Sequence, residues 1–205
     1  MVITQLLPTT KKRTKVYIDE ELYGALYPRE MKMFHITVDG EISKEDKKQM
    51  DEILLKRGKS RALYLLQRSD KTEYELRQKL KQSFYNEEII NQIIQYVVSY
   101  GYINDERYVS QFVQYKASKK SSKEIQMKLA AKGIAKENTK ELLSQVRERE
   151  ADSIRTILKS RIKGTTILDQ KELYKQYCYF MRRGFSSEEI KKALEEVQED
   201  RGFFS

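Results

Sequence analysis

Beyond Pro28 the chain contains no proline, and over that stretch it repeats itself with a period of about 50 residues. Nothing in such a run interrupts a helix from within, and self-similarity at a fixed spacing implies one helical unit copied in tandem. Sliding residues 76–97 by 49 places them on 125–146, and a further 51 places them on 176–197. Leu80, Leu129 and Phe180 then coincide, as do Phe84, Gly133 and Gly184, and next Tyr85, Ile134 and Phe185. Further along, Ile93 meets Leu142 and Ala193, Ile94 meets Leu143 and Leu194, and Val97 meets Val146 and Val197. The spacing matches no TPR, ankyrin or HEAT period.

Local signals place the helices. Thr72-x-x-Glu75, Ser121-x-x-Glu124 and Ser186-x-x-Glu189 match a capping box, in which side chains and backbone satisfy orphan amides reciprocally. Gly101, Gly133, Gly164 and Gly184 each follow a periodic apolar run, where a left-handed residue ends a helix. Each copy has a leading helix, over Arg61–Gln67, Glu106–Ala117 and Ala151–Ile162. The first 40 residues read differently. Lys15–Asp19 and Leu22–Tyr27 are β-branched and aromatic, with a turn available at Asp19–Glu21, which predicts a hairpin. A short helix over Arg29–Ile36, a turn at Asp39-Gly40, and a charged helix opened by Ser43 and carrying Met50, Ile53 and Leu54 follow. The predicted fold is mostly α: three tandem three-helix repeats in an elongated, curved arrangement, with a small N-terminal extension. The expected boundaries are 1–58 for the extension and 59–105, 106–149 and 150–205 for the repeats.

Charge and composition narrow the function. The net charge is +9, and residues 111–150 hold ten Lys and Arg against five acids. From Lys116 to Lys140 there are eight Lys and only Glu124 and Glu137 to oppose them. Such a patch attracts polyanions, DNA or a nucleoprotein first, and a solvated helix face is the alternative reading. One Cys and one His among 205 residues leave little material for zinc sites or multi-histidine catalysis, and suit a reducing compartment. No apolar run reaches the length of a membrane span or a signal core. The expectation is a soluble cytoplasmic monomer without catalytic residue, cofactor or metal.

The lesser candidates have structural readings. Arg57-Gly58-Lys59-Ser60 ends like a phosphate-binding loop but has Ile53 where the earlier glycine belongs, and reads as a helix end. Asp51 with Glu52, and Glu148 with Glu150, are helix-face acids; His35 is satisfied or exposed; Cys178 packs among aromatics. Between the first and second copies lie Tyr96, Tyr100, Gly101, Tyr102, Ile103, Tyr108, Phe112 and Tyr115, read as an inter-repeat seam in which rings are buried while hydroxyls stay wet, with a base-stacking platform as the alternative. Gly101 supplies a left-handed residue, Asn104 or Asp105 caps the following helix, and Arg107 is expected to fasten the junction by reaching an acid.

Ala62-Leu63-x-x-Leu66 with Arg68-Ser69, Glu75-Leu76 and Leu80 forms the first part of a family pattern. Gly101-Tyr-Ile-Asn-Asp-Glu-Arg-Tyr108 followed by Phe112-Val113 forms the second, and Lys132-Gly-Ile134 with Arg182-Arg-Gly-Phe-Ser186 and Ile190 the third. Over about residues 59–198 this resembles the RecX family, bacterial regulatory proteins that bind and inhibit the RecA recombinase. The sequence departs from the pattern in three places. Ser83-Phe84 stands where the other two copies have glycine, so identical turn geometry is not expected; Asn104 replaces a common Asp; and Lys119-Lys120 replaces a common glycine. The resemblance implies a protein that lodges in the groove of the RecA–DNA filament and lowers strand exchange, ATP turnover and co-protease activity. Contact candidates are Lys116, Lys119, Lys120, Lys123, Lys128, Lys132, Arg182 and Arg183, with Arg68 and Arg77 behind them. The alternative is an autonomous DNA-binding helical module. Its basic helix offers mostly Lys, which holds phosphates rather than reading bases, so only weak, non-specific binding is expected.

Overall fold

The computed structural model describes residues 1–10, 12–162 and 168–202, with side chains as far as residue 199. It forms two compact units, Met1–Asn104 and Asp105–Ser205. The predicted end of a helix at Gly164 lies outside the described residues.

The first unit opens with a three-stranded antiparallel sheet of β1 (Ile3–Pro8), β2 (Thr14–Ile18) and β3 (Glu21–Leu26), in that order. The predicted hairpin is β2–β3, turned on Asp19 (φ 48°) and Glu20 (φ 70°), both left-handed as a tight hairpin turn requires. β1 is an addition. In Ile-Thr-Gln-Leu-Leu-Pro only Ile3 is fully buried, so the strand carries almost no apolar alternation and its signal is tertiary. Its start is held where Ile3 N–H donates to the Gly40 carbonyl at 2.9 Å and Ile42 N–H to that of Met1 at 2.9 Å.

A short helix α1 (Pro28–Met33) leads to α2 (Lys44–Arg68), whose Ser43 cap accepts the Asp46 N–H. The two helices expected on either side of Arg57-Gly58-Lys59-Ser60 are therefore one, and this tetrapeptide does not end a helix. A Cβ on Gly58 would stand 2.3 Å from Ile93 Cδ1 and 3.3 Å from Tyr85 Cε1. The glycine is there because α2 packs tightly against α4 (Glu87–Ser99), and that close approach outweighs the roughly 1 kcal/mol a glycine costs inside a helix. With α3 (Glu73–Lys81) these form the first helix triplet. One apolar cluster runs from Ile3, Val16 and Leu26 in the sheet through Met50 and Leu54 to Leu80, Ile93 and Val97.

The second unit holds two further triplets: α5 (Asp105–Lys116), α6 (Ser122–Ala130) and α7 (Lys140–Glu148), then α8 (Glu150–Arg161), α9 (Gln170–Arg182) and α10 (Ser187–Gly202). Each triplet has its own apolar cluster, around Ile125 and Leu129 in one and Phe180, Phe185 and Ile190 in the other. The aligned repeat columns fall in these cores, with Leu142 half-buried, except that of Phe84, Gly133 and Gly184, which falls at the turns.

The three middle helices end alike. Tyr85 N–H bonds to the Leu80 carbonyl, Ile134 N–H to that of Leu129 and Phe185 N–H to that of Phe180, each across a left-handed residue in a Schellman turn. Those residues are Gly133 (φ 79°), Gly184 (φ 82°) and Phe84 (φ 66°). Contrary to expectation, the first copy keeps the turn geometry without glycine. A left-handed phenylalanine costs about 1–2 kcal/mol, and Lys15 Nζ lies 4.4 Å from the centre of the Phe84 ring.

Candidate functional site

Some of the basic candidates, Lys119, Lys120, Lys123, Arg182 and Arg183, lie where the second triplet meets the third. The chain turns out of α5 through Lys116–Lys120, with Lys119 and Lys120 N–H both bonded to the Lys116 carbonyl. Ser121 then caps α6: its hydroxyl accepts the Glu124 N–H at 3.1 Å and donates to the Arg183 carbonyl, at the end of α9, at 2.6 Å. The same helix start is bonded to α8, where the buried Glu150 carboxylate accepts the Ser122 N–H at 2.6 Å. Ser153 Oγ donates to the Ala117 carbonyl at 2.9 Å. This seam is made of polar contacts, and it sets the Lys119–Lys123 segment beside the Arg182-Arg183 end of α9.

Electrostatics sort the eight contact candidates. Lys120 and Lys128 both reach Glu124, Lys128 at 3.3 Å, so one acid offsets part of their charge. Partial burial acts to raise the Glu124 carboxyl, but hydrogen bonds and charge from the two ammonium groups outweigh it and hold the group below the ordinary glutamate range. The expected capping box is thus half formed: Ser121 caps, while the Glu124 side chain turns to the lysines. Lys116 and Lys119 sit 4.4 and 5.5 Å from the centre of the Tyr115 ring, itself 66% exposed. Lys123 is exposed, and its Cβ lies 3.4 Å from where a Cβ on Gly184 would stand. Lys132 lies over Tyr108 at 5.4 Å, towards the other end of α6. Arg182 is exposed and donates to the Cys178 carbonyl; Arg183 lies 4.4 Å from the Tyr179 ring centre.

Sequence reasoning missed Arg161, whose guanidinium stands 3.5 Å from the same Tyr179 ring. Arg161 is 18 positions from Tyr179, and nothing in that spacing announces the pair. A cationic group made of Lys119, Lys123, Arg161, Arg182 and Arg183 can hold phosphate oxygens or acidic side chains. At the start of α6 the Ser122 and Glu124 amides are already occupied by Glu150 and Ser121, and the lysine and arginine side chains are its main anion ligands.

The other predicted residues are placed as follows. Tyr100, Gly101 and Tyr102 close the first unit, Gly101 left-handed at φ 68° and the rings of Tyr100 and Tyr102 stacked at 6.1 Å. Asp105 and Arg107 open α5, on which Tyr108 and Phe112 stack at 6.0 Å against the Val109 and Val113 core. Arg68 lies over Tyr64, and Arg77 is bonded to Glu73 and Asn91. His35 is exposed and Cys178 half-buried. Among the described residues no group of three His, Cys, Asp or Glu is placed to hold a metal, and no helix is long and apolar enough to cross a membrane.

Comparison with known proteins gives a consistent set of relatives. A family model for the first three-helix domain of RecX matches residues 59–96, and one for the second three-helix domain matches residues 104–143. The chain is 31% identical over 199 residues to the regulatory protein RecX of Caldanaerobacter subterraneus, spanning 95% of this chain and 98% of that one. To the RecX of Clostridium acetobutylicum it is 29% identical over 195 residues, 91% of each chain. A crystal structure of regulatory protein RecX superposes with a TM-score of 0.59 at 20% identity, covering 97% of this chain and 98% of that chain. That of RecX from Lactobacillus salivarius gives 0.60 at 21% identity, over 71% of this chain and 97% of that one. At these identities the two structures speak for the fold.

Proposed function

The chain belongs to the RecX family of regulatory proteins, and from that premise we propose that it binds the RecA–DNA filament and lowers RecA recombinase, ATPase and co-protease activity in DNA repair and recombination. It acts by occupancy and catalyses nothing. The observation that carries the reading is the cationic seam: Lys119 and Lys123 of the second triplet stand beside Arg182 and Arg183 of the third, fixed by the Ser121–Arg183 hydrogen bond. A surface of this charge is drawn to an assembly coated in DNA phosphates, and attraction of that kind raises association rates and weakens with salt. The eight basic candidates, the aromatic junction from Tyr100 to Phe112 and the repeat boundaries at 105/106 and 149/150 are parts of this proposal. A monomer in the cytoplasm is the form proposed to act.

The test is charge reversal at Lys119, Lys120 and Lys123, with the fold checked by circular dichroism, followed by a RecA ATPase assay on single-stranded DNA. The parent protein is expected to inhibit at substoichiometric amounts, and the variant to need at least tenfold more. Unchanged inhibition moves the interface away from the seam. Titration onto DNA with and without assembled RecA separates this reading from an autonomous DNA-binding module: the inhibitor prefers the filament, and equal affinity for bare DNA overturns it.

A further inference from the structure

A second cationic surface lies in the first unit, where arginines and an exposed tyrosine share one face of a helix. On α2, Arg57, Arg61, Tyr64 and Arg68 fall at i, i+4, i+7 and i+11, one face of a helix, over about 16 Å of axis. Tyr64 is 47% exposed, with the guanidiniums of Arg61 and Arg68 each 5.4 Å from its ring centre. The pattern continues onto the sheet. Tyr27, 43% exposed, has Arg57 at 5.0 Å and Arg13 at 6.0 Å from its ring centre, and Arg13 stands 6.0 Å from the Phe84 ring. Arg13, Tyr27, Arg57 and Arg61 line one groove of about 230 Å³ with Ser83 and Tyr85.

The groove is held in place from beneath. Arg57 is bonded to Glu30 at 2.7 and 2.9 Å and to the Ala25 carbonyl at 2.6 Å, which ties α2 to β3 and α1. Arg13 donates to the Ser83 carbonyl at 3.3 Å. Among the described residues no carboxylate pairs with Arg13, Arg61 or Arg68, so Glu30 alone offsets four guanidiniums. Guanidinium forks match phosphate oxygens, and exposed rings spaced between them offer faces on which unpaired bases stack. Duplex DNA keeps its bases stacked and could use only the charges.

We propose that this face, from Arg13 and Tyr27 along α2 to Arg68, is a binding track for a single-stranded polynucleotide, with arginines on the phosphates and Tyr27 and Tyr64 under the bases. The track shares no residue with the seam and does not depend on the filament reading, so its test needs no RecA. Fluorescence anisotropy of the full chain with labelled oligo(dT), oligo(U) and a duplex of equal length measures it. Either single strand is expected to bind more tightly than the duplex. Tyr64→Ala should weaken single-strand binding about fivefold or more, and Tyr64→Phe should retain it. Arg61→Glu with Arg68→Glu should weaken it further and flatten its salt dependence. Reversal of Lys119, Lys120 and Lys123 should leave the preference for single strand over duplex intact. The track is overturned if duplex binds as well as single strand, if the seam variant abolishes that preference, or if the α2 variants, folded by circular dichroism, bind as the parent does.

Discussion

In the first unit a single apolar cluster joins the sheet to the helix triplet, from Ile3 through Leu54 to Val97. In the second unit two clusters stand apart, and Ser121, Glu150 and Ser153 supply hydrogen bonds between the triplets. The same repeated unit is thus used in two ways. Apolar burial is non-directional and contributes about 25 cal/mol per Å², so the first unit gains by making the extension and the first triplet one body. A net hydrogen bond contributes only about 0.5–1.5 kcal/mol but fixes geometry. A polar seam therefore holds the second and third triplets in register at little thermodynamic depth. Lys119, Lys123, Arg182 and Arg183 lie on this seam, where small changes in the packing of the triplets alter the spacing of the charges.

The largest effects should come from truncating the cores. Leu54 and Leu129 are both fully buried, and either change to Ala should cost about 2–5 kcal/mol. Their reach should differ. Leu54→Ala is expected to lower amide-exchange protection throughout residues 1–104, because one cluster serves sheet and helices alike. Leu129→Ala is expected to lower protection in α5–α7 and leave that of α9 and α10 largely unchanged. Uniform loss across the second unit would show that its two clusters unfold as one, and the contrast would fail.

Next in size is the seam itself. Glu150→Ala leaves the Ser122 N–H without its acceptor, a loss of about 1–3 kcal/mol, and Glu150→Gln, which keeps a carbonyl oxygen there, should cost less. Ser121→Ala removes both the α6 cap and the bond to Arg183, for about 1–2 kcal/mol. Urea denaturation measures each. If both Ala variants match the parent, hydrogen bonding is not what registers the two triplets.

How much of this was legible beforehand follows the same division. The repeat register was readable because Leu80, Leu129 and Phe180 are core positions at helical spacing, and such positions leave a periodic trace. The turns were less readable. Phe84 adopts the left-handed geometry of Gly133 and Gly184 because the following Tyr85 and its hydrogen bond to Leu80 impose it, although the residue type argues otherwise. Gly58 looked like a helix end because its partner Ile93 lies 35 positions away and only the packing of α2 on α4 reveals it. β1 has a single fully buried side chain and no pattern of its own. The site was the least legible part. Charge density marked Lys116–Lys132, and the Lys120–Glu124–Lys128 pairs follow i,i+4 helix spacing, but the Arg161–Tyr179 contact and the Ser121–Arg183 bond join residues with no fixed sequence spacing.

The smallest effects, and the finest test of the contrast between units, are in pH dependence. In the first unit the Tyr23 hydroxyl donates to Asp51 at 2.7 Å, and Lys47 donates to the other oxygen of that carboxylate at 2.8 Å. Burial, then the bond and the charge of Asp51, push the Tyr23 hydroxyl well above its ordinary range. The Lys47 ammonium is also raised, by its hydrogen bond to Asp51 against the opposing effect of burial. Both groups keep their protons in the folded state after the unfolded chain has begun to lose them. Their stabilisation is therefore complete below about pH 10 and falls as pH rises beyond it. Glu124 in the second unit has the opposite sign. Its carboxyl is held below the ordinary glutamate range, so its contribution is present above about pH 4.5 and is lost as pH falls through the lowered value. Amide exchange followed across pH should show the first unit losing protection on the alkaline side and the second on the acid side. Tyr23→Phe should flatten the alkaline limb, and Glu124→Gln the acid limb, by a small amount because that ion pair is partly exposed to solvent. An alkaline limb that survives Tyr23→Phe undiminished would assign it to other groups and remove pH as a difference between the two halves.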